Sequence, residues 1–321
     1  MKTVLSWCLA IFCPSWGFYA HQEINELAVY TLPKEMIVFF KANISYLREV
    51  AVNPDRRRHS VPEEAPRHYI DLDHYGDSAL QKLPRNWRDA VEKFSEDTLV
   101  AYGIVPWHIN RMYYRLREAF LLRDPPAILK IAAELGHYVG DAHVPLHTTE
   151  NYNGQQTGQD GIHGFWESRL PELFAGEYNF FVGRAEYVGD PMSVAWEAVR
   201  QSHEAVDSVL AFERRLTELS PDRKYSFESK GKATAKVYAV RFSQRYHHML
   251  DGMVERRMCA AIHVIGNLWF SAWVDAGQPD LRELLRYKPT EAELEERRRE
   301  IEQWRAGKLA ARSHEGDLTH P

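Results

Sequence analysis

The chain has 321 residues, 45% hydrophobic and 26% charged, with a formal net charge of −5. That is an ordinary balance for a soluble globular protein, with length enough for one large core. No block of lysines or arginines is long enough to neutralise a duplex backbone, which disfavours tight sequence-independent binding of long duplex DNA and leaves small or single-stranded substrates open.

The start reads as an export signal. Lys2 supplies the positive charge, residues 4–12 an apolar run, and Cys13-Pro14-Ser15 small residues at a cleavage point. A buried N-terminal helix is the alternative. The run is too short to span a membrane, and Phe12 before Cys13 does not fit a lipoprotein cleavage pattern. A secreted or periplasmic protein without a transmembrane anchor is expected. Removing the signal takes Cys8 and Cys13 with it, so Cys259 has no partner for an internal disulfide. A metal cluster could staple the fold instead. The expected organisation is a signal peptide over 1–15, a catalytic domain over 16–280, and a charged helical tail, partly disordered, over 281–321.

Apolar residues then recur at helical spacing. They do so over residues 23–30 and, after Leu32-Pro33, over 34–41. A run within 86–102 follows, then 107–122, which ends at Arg123-Asp124-Pro125-Pro126. Residues 127–143 are stopped by Pro145, and 193–219 and 230–276 are long and amphipathic. Within the last, 260–274 is interrupted by His263, Asn267 and Ser271, as suits a core helix. No segment alternates in the strand manner, so the sequence predicts an all-α fold in a single compact multi-helix domain. Residues 51–75 and 148–161 read as loops. Both are flanked by candidate metal ligands, and such loops often carry function. Residues 290–304 are dominated by Glu and Arg and predict a solvated helix with a frayed end.

Two segments carry the chemistry. His137-Tyr-Val-Gly-Asp141-Ala-His143-Val-Pro-Leu-His147 is followed by His163-Gly-Phe-Trp-Glu167. His137/Asp141 and His163/Glu167 are i,i+4 pairs, which share one helix face about one turn apart. Two His/carboxylate pairs with His147 between them suit zinc, which accepts nitrogen and oxygen ligands. In a chain with 15 histidines, satisfied core histidines are the alternative. His108 reads as a structural hydrogen-bonder. His143 falls on another face and reads as packing behind the ligands, while His59 and His74 border the first loop as solvated side chains.

Upstream lie Trp16-Gly-Phe-Tyr-Ala-His21, directly after the expected cleavage point, then Asn53-Pro54-Asp55-Arg56-Arg57-Arg58 and Pro66-Arg67-His68-Tyr69-Ile70-Asp71. With these the sequence resembles the superfamily that joins bacterial zinc-dependent phospholipase C to the single-strand-specific zinc nucleases. The resemblance covers residues 16 to 170 through motifs and rests on helical character beyond them. It implies three zinc ions. Asp55, His68, His137 and Asp141 would hold the first, and His147, His163 and Glu167 the second. Trp16, through its free amine and carbonyl, and His21 would hold the third, with Asp141 bridging. It further implies a zinc-activated water as nucleophile, with Asp55 orienting it and Arg58 assisting at the phosphate, and no covalent intermediate.

The substrate is less sharply marked. The short interval from Trp16 to His21 and the segment Gly140-Asp141-Ala142-His143-Val144-Pro145-Leu146-His147 resemble the nucleases, as does Arg58 three residues after Asp55. Tyr69 and Asp71 match nuclease positions that stack on a base and bond its edge, or else are a core aromatic and a turn cap. Glu167 is the phospholipase choice, and the interval from His147 to His163 is shorter than in typical nucleases. The leading expectation is a hydrolase of single-stranded nucleic acid or nucleotides. The alternatives are a phospholipase C acting on phospholipid and a zinc-stapled protein without turnover. No protein partner is expected.

Overall fold

The computed structural model describes residues 18–230, 233–307 and 309; the expected signal peptide and Trp16 lie outside them. The fold is all-α apart from one small hairpin. No helix among the described residues is long and apolar enough to cross a membrane.

Helices α1 (Phe18–Val29), α2 (Lys34–Ala42), α3 (Ile44–Val50) and α4 (Asn53–Arg57) open the chain. The expected first loop thus contains α4 and two single 3₁₀ turns, Ala65–His68 and Leu72–Tyr75. Short helices α5 (Ala79–Lys82), α6 (Trp87–Phe94) and α7 (Glu96–Ala101) follow. Ser95 separates the last two. Its φ of 69° breaks the helix, and its hydroxyl accepts from Thr98 N to cap the next one.

The core is built on α8 (Val105–Leu122) and α9 (Pro125–Ala142). Arg123 turns the chain in the left-handed region, and Asp124 caps α9 by accepting from Ala127 N at 3.1 Å. Pro125 and Pro126 then occupy the first helical positions, where a missing N–H costs nothing. From Ile131 to Ala142 every residue of α9 is buried, which marks it as the central helix. Around it pack α1, α3, α8, α12 (Pro191–Leu219) and α14 (Met253–Asp275). The Trp269 indole of α14 donates to Ala132 O at 3.0 Å and stacks on Phe40.

Between these lies a continuous helical stretch. It is α10 (Ile162–Gly164), then a π-helical segment Phe165–Arg169, then α11 (Leu170–Phe174).

The expectation of one helix over 230–276 fails in two places. Strands β1 (Tyr225–Lys230) and β2 (Ala233–Tyr238) pair antiparallel, Tyr225 opposite Tyr238. Then α13 (Val240–Met249) is separated from α14 by Asp251 and Gly252, both at positive φ. The hairpin escapes a search for alternation because its strands are only six residues each and Phe227 faces solvent. Finally α15 (Glu291–Ala306) starts with a Thr290/Glu293 capping box. It buries Trp304 and lies against α4, so it is more than a solvated helix.

Candidate metal centre

Asp55 comes from α4 and Arg58 is the residue that caps its end; His68 comes from the 3₁₀ turn behind it, and His137 and Asp141 from the C-terminal half of α9. His147 lies on the turn Pro145–Thr148, and His163 and Glu167 on α10 and the π segment. His21 comes from α1. Eight of the nine expected ligands thus converge, and Trp16 lies outside the described residues. His21, Asp55, His68, His137, Asp141, His147, His163 and Glu167 are all buried and fall into overlapping groups with metal-ligating spacing.

Asp141 is the hub. Its Oδ2 lies 2.9 Å from His68 Nδ1 and 3.3 Å from His137 Nε2. Its Oδ1 lies 3.3 Å from His21 Nε2 and 3.9 Å from His147 Nε2. Glu167 Oε2 lies 2.8 Å from His163 Nε2 and 3.4 Å from His147 Nε2, while Oε1 lies 3.2 Å from His21 Nε2. Asp55 Oδ1 stands 3.8 Å from His137 Nε2 and 3.9 Å from His68 Nδ1 and accepts from Arg58 Nη1 at 3.1 Å.

The far side of each ring is also tied down. Nδ1 of His137, His147 and His163 lies 2.8, 2.6 and 3.0 Å from the carbonyls of Ala51, His68 and Tyr152. Those carbonyls can only accept, so each Nδ1 carries the proton, and in the neutral ring Nε2 presents a lone pair to the carboxylates. His68 is reversed, with Nε2 3.5 Å from Glu64 Oε1 and Nδ1 inward. Outer anchoring of this kind is how proteins fix metal-binding imidazoles.

Buried charge explains the proton affinities. Burial opposes the charged form of His21, but Glu167 and Asp141 outweigh it and push the ring up to about 9. Burial likewise opposes the charged form of His68, and Asp141 and Glu64 raise it to about 9. Burial wins at His137 and His163, which are lowered. Asp141 and Glu167 are held well below the carboxylate range, against burial, by the surrounding imidazoles.

The donor set fits a metal. His137 Nε2 and His68 Nδ1 approach to 3.1 Å, and two inward lone pairs at that distance repel unless a proton or cation lies between them. Asp141 Oδ1 and His21 Nδ1 are buried and make no hydrogen bond among the described residues. A cation satisfies such a set of nitrogen and oxygen donors without added protons.

Sequence reasoning did not reach several supports. Glu64 is fully buried and accepts from Arg57, Arg67 and Tyr138, and Arg57 also reaches Glu134 at 2.6 Å. The spacings Glu64/His68 and Glu134/Tyr138, four residues each, were the available signal. Gly136 and Gly140 are the second omission. A Cβ at Gly140 would stand 2.8 Å from Ile24 Cδ1 and 3.0 Å from His21 Nδ1, and one at Gly136 would stand 2.2 Å from Asn25 Oδ1. These two glycines let α1 lie close enough to α9 for His21 to reach Asp141.

The remaining expectations divide. Arg58 is buried beside Asp55. Tyr69 is 8% exposed, with its phenol 3.4 Å from Ala101 O, and Asp71 is fully buried. His143 packs behind the centre, its Nδ1 donating to Val139 O at 2.7 Å. His108 is buried against the Tyr138 ring, and neither of its ring nitrogens has a hydrogen-bond partner among the described residues. His74 stacks on Tyr102, and His59 Nδ1 lies 3.2 Å from Leu309 O. No family model matches the chain, and no curated protein sequence matches it either.

Proposed function

We propose that this chain is an exported zinc-dependent phosphoester hydrolase acting on single-stranded nucleic acid or 3′-nucleotides. The observation that carries the metal part is the orientation of four histidines, each held by its outer nitrogen with the inner one turned toward Asp141 or Glu167. Asp55, His68, His137 and Asp141 would hold one zinc, and His147, His163 and Glu167 a second. Trp16 and His21, with Asp141 shared, would hold a third. When bound, zinc supplies Lewis-acid stabilisation of phosphoryl charge and an acidified water.

The chain's own residues supply orientation and shielding. Asp55 is the most exposed of the three carboxylates and would accept a proton or hydrogen bond from the attacking water. Arg58 donates one N–H to Asp55 and keeps others for a phosphate oxygen. Burial of the donors excludes bulk water, which strengthens each of these interactions.

A phospholipase C reading is favoured by Glu167 at the last ligand position. The burial of Tyr69 and Asp71 adds to it, since little ring or carboxylate surface is left there for a base. The deciding experiment is metal analysis of the mature protein, with turnover measured on single-stranded DNA, RNA, 3′-nucleotides and phosphatidylcholine, each with and without chelator. We expect about three zincs per chain and chelator-sensitive cleavage of nucleic acid, nearly abolished by Asp55→Asn. Faster hydrolysis of phosphatidylcholine would move the assignment to phospholipase C. Bound zinc with no turnover would leave a zinc-stapled protein.

A further inference from the structure

The segment from Pro221 to Arg245 holds seven Lys and Arg against two carboxylates, in a chain whose formal net charge is −5. Both carboxylates lie outside the cavity at its base: Asp222 is not among the lining residues, and Glu228 pairs with Arg169 of the π segment. The cavity has a volume of about 140 Å³ and is lined by Ser220, Arg223, Arg241, Phe242 and Arg245. Among the described residues none of these three arginines forms an ion pair. Arg245 Nη1 donates to Ser220 Oγ at 2.8 Å and so leaves that hydroxyl's proton free to donate. Some exposed guanidiniums elsewhere are paired, as in Arg200 with Glu197 and Glu204 or Arg282 with Asp280, but it is only at this pocket that three unpaired ones line one concavity among the cavities described.

Three guanidiniums converging on one concavity repel each other, and an anion relieves that repulsion. Planar N–H forks match phosphate oxygens especially well. The space accommodates one phosphate group, given that a water molecule takes about 30 Å³ in the liquid.

The surroundings narrow the ligand. The pocket floor, Phe242, belongs to an aromatic layer in which Phe165 stacks on Tyr238 at 3.7 Å and on Tyr246 at 4.9 Å. Phe165 opens the π segment that carries Glu167, so one rigid layer backs both the pocket and the centre. On β1, Phe227 is 73% exposed and sits opposite Lys236, on the same strand face as Tyr225 and about 7 Å further along. Lys236 Nζ lies over the Tyr225 ring at 3.9 Å, so the strand face that exposes Phe227 also carries a cation. An exposed ring on a cationic face, on the hairpin that rises from an anion pocket, is the kind of arrangement that holds single strands through backbone charge and base stacking.

We propose that the pocket at the base of the hairpin is a phosphate site for the backbone of single-stranded nucleic acid, with Phe227 as a stacking face for a neighbouring base. It lies outside the cleavage centre and rests on the nuclease reading for its substrate class. The test uses the metal-loaded mature protein and a fluorescent, cleavage-resistant phosphorothioate oligothymidylate of about twelve nucleotides. Arg223→Gln/Arg241→Gln/Arg245→Gln is expected to raise Kd at least ten-fold. It should also reduce the slope of log K against log salt by about 0.7 or more, the share of one single-strand phosphate. Turnover of a small chromogenic phosphodiester should stay at the wild-type level. If the triple variant fails to fold, Arg241→Gln alone should raise Kd about three-fold.

An unchanged Kd and salt slope would overturn the site, whatever the enzyme cleaves. Loss of binding in a protein that cleaves no phosphoester would uphold the site and sink the nuclease reading instead. Inorganic phosphate is the control for the other source of the same anion. Stabilisation of the wild type but not the variant by phosphate, with oligonucleotide binding unchanged, would make the pocket a free-phosphate site and overturn the nucleic-acid assignment.

Discussion

The buried centre and the basic hairpin handle charge in opposite ways. At the centre three carboxylates and five imidazoles lie inside the protein, and most are held by a second contact on the side away from the group. In the hairpin segment Lys224 is buried and paired with Glu213, while Arg223, Lys236 and Arg241 stand toward solvent and form no ion pair among the described residues. Buried charge must be compensated in place, since removing a charge from water costs several kcal/mol. Surface charge carries no such requirement, which leaves it available to a ligand. The centre should therefore be fragile to single substitutions and the hairpin tolerant of them.

Asp141→Asn should give the largest effect. It removes the charge shared by His21, His68, His137 and His147 while keeping the shape. We expect the loss of at least one zinc and about 3–5 kcal/mol of stability, the scale for breaking a buried ionic group. Metal analysis and urea titration read both. Lys236→Gln on the hairpin is the matched control, expected to stay within about 0.5 kcal/mol. Equal losses from the two would end the contrast.

Gly140→Ala comes next. Its methyl would press on the end of the Ile24 side chain and on the His21 ring. The expected cost is about 1–3 kcal/mol, as for other overpacked cores, together with weaker binding of the ion held by His21. Wild-type zinc content and midpoint would show that the close approach of α1 is not what places His21.

The smallest effect is a pH dependence of the metal-free protein. His21 and His68 are raised from an ordinary 6.5 to about 9 by the carboxylates beside them. Groups raised on folding stabilise fully below the unfolded value and lose that contribution as pH climbs through the folded one. The metal-free form should therefore lose stability between about pH 6.5 and 9. Asp141 and Glu167 are depressed, so their contribution is present above the ordinary carboxylate range and fades in acid. Thermal midpoints of the chelated protein across this range test the sign. A midpoint rising from pH 6.5 to 9 would mean that those two rings are neutral in the folded state.

What the sequence disclosed followed the reach of its periodicities. His137/Asp141 and His163/Glu167 were legible because helical spacing alone puts each pair on one face. The central helix was legible from apolar residues recurring at helical spacing between Asp124 and Pro145. Glu64 and Gly140 were not, because their roles depend on partners distant in sequence, Glu64 on Tyr138 directly and on Glu134 through Arg57, Gly140 on His21. Strand β2 and the break at Asp251-Gly252 fell inside the run read as helix, because the small residues and lysine of β2 fit a solvated helix face as easily as an edge strand.

The two-residue joint between α8 and α9, Arg123-Asp124, has a consequence for the order of assembly. Two long helices joined so tightly meet after closing almost no loop, and local contacts of that kind form early. Two of the eight donors, His137 and Asp141, are then in place while the partners they need are still distant along the chain; His21 and Glu167 are 146 residues apart. The donor groups can close only after α1 has docked on the two glycines and the π segment has arrived. Metal capture would then be a late event, one that locks a nearly finished topology and leaves the early helical pair unaffected.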